Sequence, residues 1–140
     1  MLVGDGELRK SMEDKAKAMG LEDRVLFTGM RSDVCDLMQA MDVFVFPSLY
    51  EGLPVSLVEA QAAGLPCVIS NCVPDACMLT DLVQRVSLEG SAHKWAERIL
   101  AARETVRRDR CDEIAAAGFD IVSNAAWLQQ YYIDHWKEKE

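Results

Sequence analysis

The chain has 140 residues and a mass of 15.6 kDa, with 50% hydrophobic and 27% charged residues, the balance of one globular domain long enough to bury a core without staples. Its 23 acidic against 15 basic residues leave a net charge of −8, which argues against a sequence-independent grip on nucleic-acid phosphates or anionic lipid. No run approaches the ~18 to 20 apolar residues of a membrane span, and Met1 to Asp5 has neither the basic flank nor the apolar core of a signal sequence, so the chain reads as cytoplasmic.

Short apolar runs alternate with helical patterns, as in βα units feeding a parallel sheet covered on both faces. The first run is only Leu2-Val3, and it turns at Gly4-Asp5-Gly6 into a helix over Glu7 to Met19, closed by Gly20. Val25-Leu26-Phe27 reads as a strand with Thr28-Gly29 as its turn, and Ser32 or Asp33 caps a helix carrying Val34, Leu37, Met38 and Met41. Val43 to Phe46 lacks polar alternation, which predicts a central strand stopped by Pro47-Ser48. Pro54 to Ala63 reads as a helix with Pro54 at its first position and Gly64 past its end, leading into the strand Cys67-Val68-Ile69. Asn71 to Thr80 is a loop and Leu82 to Leu88 a weak edge strand. Helical patterns then cover Ser91 to Arg108, with Trp95, Ile99 and Leu100 on one side, and Asn124 to Lys139, with Trp127, Leu128, Tyr131, Tyr132 and Trp136.

No repeat, low-complexity segment or linker divides the chain. The expected fold class is α/β: a Rossmann-like doubly wound parallel sheet over residues 2–122, with a C-terminal helix over 123–140. A two-residue strand directly behind Met1 is abrupt for such a sheet, so its N-terminal part is expected to be truncated. The five cysteines, Cys35, Cys67, Cys72, Cys77 and Cys111, include no C-x-x-C pair. They read as small buried apolar residues in a reducing compartment, with no metal site.

The chemistry concentrates behind Val43 to Phe46. A helix that follows a parallel strand starts at the carboxyl edge of the sheet, where open α/β folds bind ligands. With Pro54 at the first helical position, the amides of Val55, Ser56 and Leu57 are the unpaired donors of the first turn, and with the helix dipole they form a seat for an anion. Glu59 lies ~7.5 Å further along the axis, on one face with Val55 and Ser56. That is too far to help seat an anion and well placed for ribose hydroxyls when phosphates sit at the helix start. Glu51, just before the helix, faces whatever lies beyond those phosphates.

The run P-S-L-Y-E-G-L-P-V-S-L-V-E-A-Q-A-A-G-L-P-C-V-I-S from Pro47 to Ser70, with Val25 to Gly29 (V-L-F-T-G) and the opening L-V-G-D-G-E-L-R, resembles the retaining glycosyltransferases of family 4. The likeness is to the C-terminal, donor-binding half of their GT-B fold, covers about residues 2 to 122, and is greatest to bacterial capsular and exopolysaccharide enzymes. It implies transfer of a sugar from a nucleotide diphosphate sugar, commonly a UDP-sugar, to a growing polysaccharide or lipid-linked acceptor, with retention of anomeric configuration. Glu51 would then hold the transferred sugar as the catalytic-site acid, and Glu59 the ribose. Gly52, Leu53, Pro54, Val55, Ser56 and Leu57 would line the sugar and diphosphate. Thr28 and Gly29, with Met30 or Arg31, would border the base. The resemblance implies no cofactor and no metal, the leaving diphosphate being met by the helix start and by an Arg and a Lys from an earlier loop. Those two residues, and the acceptor-binding N-terminal domain, have no counterpart in this sequence, so the chain alone is expected to be inactive; any membrane contact of the whole enzyme would come through those parts. Pro54 stands where many relatives carry Gly.

Blander readings compete at several positions. Gly4-Asp5-Gly6 lacks the third glycine of a dinucleotide fingerprint, since Arg9 stands there, and reads as a tight turn. His93 and His135 have no acid or nucleophile pattern nearby and read as solvated. The aromatic spacing of the last helix implies packing, or an apolar face that self-associates or frays without a partner domain. A phospho-accepting receiver domain would need an Asp at the carboxyl end of the central strand, where Pro47-Ser48 stands. A non-catalytic nucleotide-binding or assembly module of the same fold is the remaining alternative.

Overall fold

The computed structural model describes residues 1–136. The chain forms two compact units, Met1–Leu37 and Met38–Glu140. The boundary falls inside a short helix.

In the first unit, α1 (Arg9–Ala18) is shorter at both ends than the apolar pattern predicts. Leu8 at its N-cap offers no side-chain acceptor, while Gly20 (φ +65°) ends it with paired bonds, Gly20 N to Lys17 O at 3.0 Å and Leu21 N to Ala16 O at 2.9 Å. Its exposed face carries i,i+4 ion pairs, Arg9 with Asp5 and Glu13 and Lys10 with Asp14. The two expected strands reduce to isolated bridges, Leu2 with Phe27 and Gly4 with Gly29. Gly4, at φ +129°, turns the chain before a ladder can grow. Helix α2 (Val34–Gln39) stops short of Met41.

The second unit is built on a parallel sheet in the order β1 (Phe44–Phe46), β2 (Cys67–Ser70), β3 (Val83–Val86). The central strand is β2, not the Val43 to Phe46 run. All four β2 residues are buried, so both of its faces are covered, whereas Val45 of β1 is exposed. Helix α3 (Val55–Ala62) lies against β1 and β2, and α4 (Ala92–Ala102) against β2 and β3. Val68, Val86 and Ala102 make a core cluster under Trp95 and Ile99. Ser91 caps α4, which ends at Ala102, well before the expected Arg108.

Residues 103–110 form an irregular return segment that Arg107 and Gly64 lock in place. The Arg107 guanidinium donates to the carbonyls of Gln39 (2.8 Å), Met41 (3.1 Å) and Ala63 (2.6 Å), tying the ends of α2 and α3 together. Gly64 has φ +70°, and a Cβ there would run into the Arg108 carbonyl oxygen. A short helix α5 (Cys111–Ile114) and a π turn (Ala115–Phe119) follow, neither of which the sequence pattern predicts.

Helix α6 (Ile121–His135) starts earlier than expected because Asp120 caps it, accepting from the amides of Val122 (3.3 Å) and Ser123 (2.9 Å). None of its residues is buried, Trp127 and Tyr132 included, so its aromatic spacing does not mark packing within the described residues. The expected end of this helix, at Lys139, lies outside the described residues. The cysteine expectation holds for Cys67 and Cys77; Cys35, Cys72 and Cys111 are exposed. Burial pushes the Cys67 thiol up to about 12. Among the described residues no helix is long and apolar enough to cross a membrane.

Candidate functional site

Because the sheet is parallel, the segment after β1 and the segment after β2 leave it at the same edge, and the β1 segment, residues 47–54, carries Glu51 into α3. Glu51 is half-buried and held from below: Ser48 Oγ donates to its Oε1 at 2.7 Å, and the Ser48 carbonyl accepts the hydroxyl of Ser70, the buried last residue of β2. The central strand thus fixes the loop, and the loop fixes the acid. Glu51 also lies close enough to the buried Cys77 that its charge adds to the effect of burial in raising that thiol, with Arg85 opposing. Arg85 reaches back from β3 to the Val73 carbonyl (2.6 Å) and pairs with Asp75.

The start of α3 differs from the expected geometry by one position. Pro54 is its N-cap (φ −73°, ψ 94°), not its first helical residue, and it is buried. The Leu57 amide is not free, since it donates to the Pro54 carbonyl at 3.0 Å in a tight first turn. The amides left without a partner among the described residues are those of Val55 and Ser56. Leu57 is fully buried, as are Ala60 and Gln61, so the solvent-facing side of α3 carries Val55 and, one turn on, Glu59. Glu59 therefore lies on the face with the open amides, as its spacing predicts. Gly52 and Leu53 are exposed in the approach to the helix.

Thr28 and Gly29 lie in the first unit. Thr28 Oγ1 is within hydrogen-bond range of the Leu2 and Gly29 carbonyls at 3.3 and 3.1 Å, and buried Gly29 adopts φ +68°. Arg31 is paired with Asp33, which holds that carboxyl below its ordinary value. His93 meets an acid after all, Glu97 one helical turn on at 3.3 Å, and His135 stacks on Tyr131; both stay at the surface.

The sequence reading missed Gln61. It is completely buried, and its amide satisfies five backbone or side-chain groups: Nε2 donates to the carbonyls of Leu57 (3.1 Å) and Cys77 (2.9 Å), and Oε1 accepts from the amides of Leu79 (2.9 Å) and Thr80 (3.0 Å) and from Thr80 Oγ1 (3.1 Å). The available signal was a polar residue in the buried register set by Leu57 and Ala60.

The sequence profile of the glycosyl transferases group 1 matches residues 1–104. The chain belongs to that family. Among its relatives, this group 1 chain is 42% identical over 136 residues to EpsF of Bacillus subtilis (strain 168), covering 94% of its own length and 35% of that protein's. It is 31% identical over 140 residues to the UDP-Gal:alpha-D-GlcNAc-diphosphoundecaprenol alpha-1,3-galactosyltransferase of Escherichia coli, covering 96% and 36%. The chain thus spans about a third of the length of the curated relatives it matches. Among solved structures, HepE of Anabaena in complex with UDP-glucose superposes with a TM-score of 0.73 at 27% identity, over 95% of this chain and 40% of that one. The Rossmann-like α/β architecture is that of the C-terminal half of GT-B glycosyltransferases, and the receiver-domain reading falls with it.

Proposed function

We propose that this group 1 chain supplies the donor-binding half of a retaining, family 4 glycosyltransferase that moves a sugar from a UDP-sugar to a growing polysaccharide or lipid-linked acceptor. One observation carries the reading: the open amides of Val55 and Ser56 and the Glu59 carboxylate share the exposed side of a helix that begins at the carboxyl edge of a parallel sheet. The UDP-glucose bound by the similar HepE, and the UDP-sugar in the name of the Escherichia coli relative, support a UDP-sugar as the donor class.

In this reading the diphosphate sits over the first turn of α3, where the positive end of the helix and two free N–H groups offset its charge without a metal. Glu59 accepts the ribose hydroxyls. Glu51, preset by Ser48, accepts hydroxyls of the transferred sugar and so holds the anomeric carbon against the acceptor. The assignment of Thr28 and Gly29 to the base rests on the family resemblance alone. In this reading these residues bind the donor, and acceptor binding and the basic residues that complete diphosphate stabilisation are assigned to other parts of the enzyme.

The test is calorimetric titration of the chain with UDP, GDP and ADP, repeated with Glu59→Ala. The expected result is preference for UDP and a loss of ~1 to 3 kcal/mol of nucleotide affinity in the variant, because a charged acceptor of two hydroxyls is removed. Equal affinity of wild type and variant overturns the role of Glu59.

A further inference from the structure

The connection from β2 to β3 is unusual for a parallel sheet. Parallel neighbours ordinarily need a crossover containing an α-helix, whose backbone polar groups satisfy one another. Here residues 71–82 make the return with only a single 3-10 turn, Asp75–Cys77. Cys77 and Leu82 are buried in it, and a buried irregular segment must find partners for its N–H and C=O groups elsewhere.

Gln61 is that partner. Its one side-chain amide takes the Cys77 carbonyl and the Leu79 and Thr80 amides while bonding back to Leu57 O on its own helix. At the other end of the same segment, the Ser70 hydroxyl is bonded to the Ser48 carbonyl, and Ser48 holds Glu51. The segment between these two anchors carries Val73 and Asp75, to which Arg85 is fastened. The strand end that holds Ser48, and through it Glu51, therefore continues into a loop with little secondary structure of its own, pinned at its far end by one residue of α3.

We infer that Gln61 is a positioning residue of the donor site: by clamping Cys77 to Thr80 onto α3 it fixes the loop that leaves Ser70, the residue to which Ser48 and through it Glu51 are tied, and so governs recognition of the sugar rather than of the nucleotide. The inference rests on the donor-site reading above. It separates two functions of one helix, since Glu59, two residues earlier on the opposite side, is assigned to the ribose.

The experiment titrates the chain with UDP, UDP-glucose, UDP-galactose and UDP-N-acetylglucosamine and reads the gain in affinity that the best sugar adds to UDP. It does so for wild type, for Gln61→Met, which keeps the length and loses the five bonds, and for Thr80→Val, which keeps the Thr80 amide on Gln61 and loses the two bonds of the hydroxyl, one donated to Gln61 Oε1 (3.1 Å) and one accepted from the Leu82 amide (3.3 Å). Gln61→Met is expected to lose at least ~5-fold of the sugar gain with UDP affinity within about twofold, and Thr80→Val to move the same way by less. If Gln61→Met does not fold, Thr80→Val decides. A parallel loss of UDP and UDP-sugar affinity marks a merely structural role and overturns the proposal. So does a full sugar gain in the folded variants, or a wild type that binds UDP and gains nothing from any sugar. A wild type that binds no nucleotide at all overturns the donor-site reading itself.

Discussion

Ser48 donates its hydroxyl to Oε1 of Glu51 at 2.7 Å while its own carbonyl takes the hydroxyl of Ser70, so an acid in a loop is referred directly to the central strand of the sheet. Such a bond presets the carboxylate before any ligand arrives, and ordering then costs less on binding. Ser48→Ala is expected to weaken UDP-sugar binding about fivefold, near 1 kcal/mol, and to leave UDP itself unaffected. Calorimetry with the two ligands measures the difference; equal loss for both, or none, would show that the bond does not serve the sugar.

Gly64 is required twice over, by φ +70° and by the approach of the Arg108 carbonyl. Gly64→Ala forces either the α3 terminus or the return segment to shift, and a loss of ~2 to 3 kcal/mol of stability is expected. Urea unfolding followed by circular dichroism reports it. The control is Gly20→Ala in the other unit, which carries the φ strain (φ +65°) with no atom within 4 Å of the added Cβ, and which should cost less.

Arg107 gathers carbonyls from Gln39, Met41 and Ala63 that no backbone amide among the described residues reaches. Removing it leaves helix-end carbonyls short of partners, and Arg107→Met is expected to cost ~2 to 3 kcal/mol. Arg107→Lys should recover only part of this, because a single ammonium cannot span the fork that a planar guanidinium covers. The midpoint of thermal unfolding ranks the three proteins; equal midpoints for Lys and Arg would refute the geometric argument.

The Asp120 carboxylate caps α6, and its bonds to Ser123 and Val122 hold its pKa below the ordinary Asp value. A carboxylate depressed in the folded state stabilises above the unfolded Asp value and loses that contribution as pH falls through the lower, folded one. The first turn of α6 should therefore fray on acidification below about pH 4, and at neutral pH in Asp120→Ala. Amide exchange at Val122 and Ser123 is the readout, and exchange that is flat from neutral to acid pH would contradict the cap.

Local chemistry along the chain makes several features legible without a structure: the helix between Pro54 and Gly64, the strand Cys67 to Ile69, the two glutamates one on either side of the helix start, and the family that the run around them resembles. These are properties of neighbours along the chain, where side-chain periodicity and the conformational limits of Pro and Gly act without help. The rest follows from packing between distant segments. Which strand is central depends on what covers each face, so β2 and not the equally apolar run of β1 holds the middle of the sheet. Whether Leu57 has a free amide depends on how tightly the first turn closes around Pro54. That Gln61 is a clamp rather than a surface polar residue depends on a loop many residues away returning without a helix, a need for hydrogen bonds that no local pattern records.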